Sequence, residues 1–335
     1  GRVPPRQRLR LLAAMQLAAH GGYLLALGLS LYFGRSPTPA PPAAPAAPVG
    51  LGGPARACVC EVRTVAYGTA EADAALAEHL ERNVPLRIVG VPEAAVPSLT
   101  DALLRETVGN RVVELRAMGA RGRVAKFAQR RNATLADALA DGGALAGDWY
   151  AAQLSIPRRL PDLGSPELLE PRLGIGGNWS ARAGKAVEAS PYLYYHGGGA
   201  AGPALYLHYD AAENLVQVLD GWKEFWLYDP FQAAAVLYGS NAEYGNASPV
   251  DVESPNTTKD FPLFRFAVPW KCRVSAGEWL YVPLYWWHGV RSSEGRTVSL
   301  AHFNHGDREK KGFFEKTMCG YSMRPAAFEC GKRKR

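Results

Sequence analysis

From Tyr192 to Asn304 the chain reads as a succession of short extended segments: YLYYHG, ALYLHYD, NLVQVLDG, KEFWLYDP, CRVSAGEWLYVP, WWHGVRSS and TVSLAHFN. Gly, Pro and Asp turns separate them. No such segment can bury a face alone, so strands this short and this numerous have to close on one another, which predicts a β-sandwich or barrel of the jelly-roll type. Residues 57–145 alternate instead. AEADAALAEHLERNV places apolar residues at helical spacing, PLRIVGV reads as a short buried strand, and SLTDALLRETVG begins as a helix capped by Ser98 or Thr100. TLADALADGG repeats that capped pattern from Thr134 and ends in glycines. The expected class is mostly β with flanking helices, without repeats of fixed period.

The ends differ from the body. The chain has 335 residues, 47% hydrophobic and 21% charged, which excludes wholesale disorder, and its net charge is +7. Arg2, Arg6, Arg8 and Arg10 lie at one end, and Lys332, Arg333, Lys334 and Arg335 at the other, so the chain between them carries a net of −1. A basic nucleic-acid-binding body is therefore not expected. Residues 11–33 form an uncharged, mostly apolar run long enough to cross a bilayer core of about 30 Å as one helix. Gln16 and His20 weaken its hydropathy, which keeps a cleaved signal peptide or a buried helix open as readings. Four arginines before the run and only Arg35 closely after it favour a cytosolic N-terminus. The expected organisation is a basic tail (1–10), a transmembrane signal-anchor (11–33), a Pro/Ala-rich stalk (34–56), a catalytic domain (57–306) and a basic C-terminal segment (307–335), either a tail or a dimerising helix. That makes a single-pass type II membrane protein of the ER or Golgi with a lumenal body. Sequons at Asn132, Asn178, Asn246 and Asn256 suit a lumen, although Pro249 follows the third closely. Five cysteines are too few for a disulfide scaffold; Cys319 with Cys330 is the preferred pair, with free thiols the alternative.

The chemistry lies in the β region, which holds His196, His208, His288, His302 and His305. In ALYLHYD, alternation along a strand sends His208 and Asp210 to one face. GEWLYVPLYWWH supplies a third candidate ligand, His288, beside Trp286 and Trp287, whose expected role is core packing. Two histidines and one carboxylate make the facial triad of non-haem Fe(II) sites, which leaves coordination positions open. Taken singly, an HxD pair is most often solvated surface and a histidine among aromatics is most often packed core.

In order, the HxD strand, the hairpin to KEFWLYDP and the GExLYVPxxWWH segment resemble the cupin-like Jumonji-C (JmjC) oxygenases. The likeness is strongest to the branch that contains the asparaginyl hydroxylase inhibiting hypoxia-inducible factor. It covers roughly residues 75 to 305. It implies a double-stranded β-helix, a jelly roll with helices packed outside, and a dioxygenase using Fe(II), 2-oxoglutarate and O₂. By resemblance His208, Asp210 and His288 are the iron ligands. Lys223 in GWKEF matches the lysine that pairs with the distal carboxylate of 2-oxoglutarate, Asn214 an asparagine at the cosubstrate site, and Tyr150 in DWYAAQ a tyrosine bonding the same carboxylate. The sequence departs from the pattern at Leu205, where the family has Ser or Thr; Tyr206 shares the face of His208 under strict alternation and is the substitute hydroxyl to consider. His302 stands roughly where relatives carry an asparagine near the metal, to within one residue, and is not expected to be a ligand. His196 and His305 are expected in loops.

The resemblance implies decarboxylation of 2-oxoglutarate to succinate coupled to C–H hydroxylation, and a protein or peptide substrate reached from the lumen. Two rivals stand beside it: a catalytically inactive cupin-like binding protein anchored in the membrane, motivated by Leu205, and a different metal-dependent cupin enzyme. Lys223 at its spacing argues against both.

Overall fold

The computed structural model describes residues 60–321, apart from 165–168, 174–176, 233–237 and 239–245. The apolar run 11–33, the stalk, Cys58 and Cys330 lie outside the described residues. Among the described residues no helix is long and apolar enough to cross a membrane.

The strands in chain order are β1 (Cys60–Glu61), β2 (Arg63–Ala66), β3 (Leu86–Val89), β4 (Val112–Ala117) and β5 (Arg123–Val124). There follow β6 (Arg130–Thr134), β7 (Trp149–Ser155), β8 (Tyr192–His196), β9 (Ala204–His208) and β10 (Glu213–Asp220). The last are β11 (Trp222–Tyr228), β12 (Trp270–Ser275), β13 (Trp279–Val282), β14 (Trp287–Ser292) and β15 (Thr297–Asn304). They form a six-stranded sheet in the order β1-β12-β11-β14-β9-β5 and a nine-stranded sheet in the order β2-β3-β13-β10-β15-β8-β7-β4-β6. Consecutive strands β10 and β11 fall in different sheets, as do β12 and β13, and β14 and β15. This crossing from sheet to sheet is what a jelly roll requires. The fold is thus mostly β with flanking helices and cupin-like in architecture.

Alternation decides what lies between the sheets. On β10, Val216 and Val218 pack with Phe225 and Leu227 of β11, Val274 of β12 and Leu280 and Val282 of β13. Their neighbours Leu215, Trp279 and Tyr281 face outward and pack with Ala72, Ala75 and Leu76. Those three, with His79, are the buried positions of helix Ala70–Arg82, one stripe at helical spacing. Thr69 caps this helix by accepting from the Ala72 N–H at 3.1 Å, and Asn83 ends it in the left-handed region. Of the two expected caps, Thr100 is the one used in helix Asp101–Val108. The outer face of the smaller sheet carries Leu207, Tyr209, Trp226, Tyr228 and Trp287, covered by Val250, Phe264 and Ala267 of the 246–268 segment and by Phe314. Phe314 comes from helix Arg308–Tyr321, with which the segment 307–335 opens.

Candidate metal centre

β9 and β14 run antiparallel, and His208 stands directly opposite His288. Opposed residues share a face, so both rings point into the barrel, with centroids 4.3 Å apart. Asp210 lies two residues beyond the end of β9, and its Oδ2 is 3.6 Å from His288 Nε2. One ligand atom from each of the three lies within 4.8 Å of the others.

Each ring is oriented by the backbone two residues before it. His208 Nδ1 is 2.8 Å from the Tyr206 carbonyl, and His288 Nδ1 is 2.9 Å from the Trp286 carbonyl. A carbonyl only accepts, so Nδ1 carries the hydrogen in both and Nε2 keeps its lone pair for a metal. Burial, followed by the neighbouring His208, pushes the His288 pKa down to about 4, so that ring is neutral near pH 7.

The second group of polar side chains surrounds Lys223, on the inward face of β11. Its Nζ donates to Ser292 Oγ at 2.9 Å and lies 3.3 Å from the Tyr150 hydroxyl. The rings of Tyr150 and Tyr194 stand 5.8 and 5.6 Å from it. Lys223 is buried and forms no ion pair among the described residues, and burial alone lowers its pKa to about 7. Asn214 and Ser299 face the same interior; Asn214 Oδ1 and Ser299 Oγ are buried without a hydrogen-bond partner. Two neutral imidazoles and a carboxylate are the donor set of an open Fe(II) site. A buried cation without a counter-ion, beside orphaned acceptors and hydroxyls, suits a small polar anion. The residues present therefore fit iron and 2-oxoglutarate.

All six sequence-expected residues face one interior: His208, Asp210 and His288 at the metal end, Asn214 on β10, and Lys223 with Tyr150 farther along. Ser292 was not foreseen, although its even spacing from His288 in WWHGVRSS places it on the same face. Tyr194 was missed as well. A β-bulge changes the expectation for Leu205 and Tyr206. Three residue steps along β9, from His208 to Leu205, oppose two along β14, from His288 to Val290, so Leu205 faces inward opposite Val290. Strict alternation would have turned it outward. Leu205 packs beside Val290 and beside Tyr150, while Tyr206 lies over His208 with ring centroids 5.0 Å apart. The oxygens that Lys223 Nζ meets are those of Ser292 and Tyr150.

His302 faces away from the interior. Its Nε2 is 2.8 Å from Gln217 Oε1, burial lowers its pKa to about 3, and the inward neighbours on β15 are Ala301 and Phe303. His305 is exposed beyond β15, as expected of a loop residue. His196 is not in a loop: it ends β8, is wholly buried, and sits with Nε2 3.2 Å from the Gly147 carbonyl. Trp286 and Trp287 are both buried core, in separate clusters, and Trp286 donates its indole N–H to the Asn83 carbonyl at 2.7 Å.

Residues 195–308 match the family model described as a cupin-like domain. JmjC domain-containing protein D of Dictyostelium discoideum is 31% identical over 149 residues, 43% of this chain and 32% of that protein. Lysine-specific demethylase 8 of Xenopus tropicalis is 34% identical over 28% of this chain and 21% of its own length. tRNA wybutosine-synthesizing protein 5 of Mus musculus is 35% identical over 28% of each chain. The matched segment thus spans a third or less of each of these relatives, and none of the three is the asparaginyl hydroxylase of the expected branch. Jelly-roll topology, the His-Asp-His cluster and these likenesses point the same way: residues 195–308 are similar to a cupin-like domain and to segments of JmjC proteins.

Proposed function

We propose that this protein is an Fe(II)- and 2-oxoglutarate-dependent dioxygenase that hydroxylates a side chain of a lumenal protein or peptide. The observation that carries the reading is Lys223, a fully buried cation without a carboxylate among the described residues, in the same barrel as the His208–Asp210–His288 cluster. When bound, iron and 2-oxoglutarate would allow O₂ to act as the oxidant, one oxygen atom going into the substrate C–H bond and the other into succinate as CO₂ is lost.

The chain's own residues do the rest. His208, Asp210 and His288 hold the metal through two Nε2 atoms and a carboxylate oxygen. Lys223, with Ser292 and the Tyr150 hydroxyl, receives the distal carboxylate; burial holds the Tyr150 phenol protonated, so it donates. Asn214 Oδ1 and Ser299 Oγ line the same interior. Leu205, Val290 and Phe225 are apolar side chains of one cluster on the same interior, and a low-dielectric lining strengthens charged hydrogen bonds.

The lumenal setting rests on the apolar run 11–33 and on the sequons. Asn132, Asn178 and Asn256 are exposed, whereas the Asn246 amide donates to the Tyr209 carbonyl at 2.7 Å and is half-buried. One feature favours a second reading, a cupin-like binding protein without turnover: inward-facing Leu205 leaves the cosubstrate end one hydroxyl short. Anaerobic titration of the full chain with Fe(II) and 2-oxoglutarate separates the two. The oxygenase gives the weak visible band of the ternary complex and, in air, succinate. Absence of both signals would sink the oxygenase reading.

A further inference from the structure

Between Arg116 and Arg131 the chain carries six basic residues, Arg116, Arg121, Arg123, Lys126, Arg130 and Arg131, and no acidic one. Most have structural partners. Arg121 and Arg123 share Asp251 at 3.3 and 3.0 Å, Arg130 pairs with Glu114 at 3.2 Å, and Arg131 lies 4.4 Å over the Trp149 ring. Arg116 is different. It stands opposite Tyr150 in the β4–β7 ladder and therefore shares Tyr150's inward face, at the rim of the barrel.

Arg130 stands opposite it in the β4–β6 ladder, but that guanidinium is paired with Glu114. Arg116 Nη2 donates to Gln153 Oε1 at 3.0 Å, the Arg116 charge acts on the Tyr206 hydroxyl, and Tyr206 in turn lies against His208. Arg116 Nε is buried without a hydrogen-bond partner, and Arg116 forms no ion pair among the described residues. An arginine fork offers parallel N–H groups to a carboxylate, and an unused buried Nε–H is costly until one arrives.

Charge accounting identifies the missing anion. On the oxygenase reading, on which this inference rests, 2-oxoglutarate brings two carboxylates, one for the metal and one for Lys223. Arg116, whose charge acts on Tyr206 beside His208, is left without a carboxylate partner among the described residues. We propose that Arg116 is a specificity-determining residue that binds an aspartate or glutamate side chain of the polypeptide substrate. A phosphate-tracking nucleic-acid surface would need several uncompensated cations in a row. Here the surrounding arginines are held by Asp251, Glu114 and Trp149, and a single half-buried fork suits a single carboxylate.

A random decapeptide display library, panned on the full chain with Mn(II) and 2-oxoglutarate, tests this by binding. Wild type should enrich Asp or Glu at one fixed position. A synthetic peptide from that selection should bind about tenfold or more tightly than its Asn or Gln counterpart. Arg116→Gln, which can still bond Gln153, should flatten that ratio to below about threefold, and Arg116→Glu should shift selection to Lys or Arg at the same position. A wild-type selection without acidic enrichment, or one unchanged in both variants, overturns the inference. So does a dodecamer of uridylate that binds wild type more tightly than any selected peptide and loses affinity in Arg116→Gln. Should Arg116→Gln fail to fold, the wild-type acid/amide ratio and the Arg116→Glu selection still decide. Failure of the underlying reading shows separately, as a missing visible band in wild type.

Discussion

Replacing Lys223 by methionine should make the ligand-free protein more stable while removing its affinity for 2-oxoglutarate. Burial takes the Lys223 pKa from 10.5 to about 7. At about 1.4 kcal/mol per pKa unit, the ligand-free fold opposes the lysine charge by about 5 kcal/mol. Methionine fills similar volume without that cost. It forfeits the bonds to Ser292 and Tyr150, about 1 kcal/mol each, which leaves a net gain of about 3 kcal/mol at pH 7. The sign depends on pH. Between pH 7 and 10.5 the unfolded chain binds the proton that the folded one has lost, so wild-type stability rises with pH across this window. The advantage of Lys223→Met therefore shrinks and reverses at about pH 9, where the remaining charging cost equals the two lost bonds. Urea titrations of both proteins at pH 7, 8, 9 and 10, with calorimetric 2-oxoglutarate titrations in parallel, measure both effects. A variant less stable than wild type at pH 7, with no pH trend in the difference, would refute the reasoning: Lys223 would then be held by an anion or by water instead of being stranded.

Other substitutions probe the site and its supports. Leu205→Thr puts a hydroxyl on the inward face beside Val290 and should tighten 2-oxoglutarate up to about fivefold, the worth of one hydrogen bond, in the same calorimetric titration. Asp210→Ala should weaken Co(II) binding, followed by its visible spectrum, by more than the roughly 10- to 100-fold that follows loss of an outer partner. Glu213 is buried and accepts from Tyr281, the Leu284 N–H and Lys310 at 2.7, 3.1 and 2.6 Å, so Glu213→Ala should destabilise by about 3–5 kcal/mol in urea. Secreted behind a leader peptide, the chain should carry glycan at exposed Asn132 and none at Asn246, whose amide is engaged, as read by mass spectrometry after deglycosylation.

Much of the site could be read from the sequence because its signals are local. Alternation sends His208 and Asp210 to one face, and a Gly-Glu turn precedes the strand leading to His288, but Lys223 entered only through the resemblance to the JmjC oxygenases. Two helices announced themselves through Thr100 and Thr134, whose hydroxyls take up otherwise unpaired N–H groups. What escaped depends on pairing between strands. Ser292 matters because β11 runs beside β14 and brings Lys223 opposite it. Arg116 is far from the HxD strand in sequence, and only the β4–β7 ladder turns it to the barrel mouth. His196 looked like a loop residue because glycines follow it, yet it closes β8 as the Cα partner of Thr297. The inward turn of Leu205 could not be read at all, since a bulge is a property of two strands.

That bulge divides β9 into two segments whose even-odd phase is independent. Residues on its His208 side keep step with the metal, and those on its Leu205 side keep step with Lys223 and Tyr150. A slip or an insertion absorbed at Tyr206–Leu207 can rotate one segment without dislodging the other. The metal half and the cosubstrate half of a single strand are thereby adjustable separately, so position 205 can exchange a hydroxyl for a methyl-rich side chain while His208 remains opposite His288.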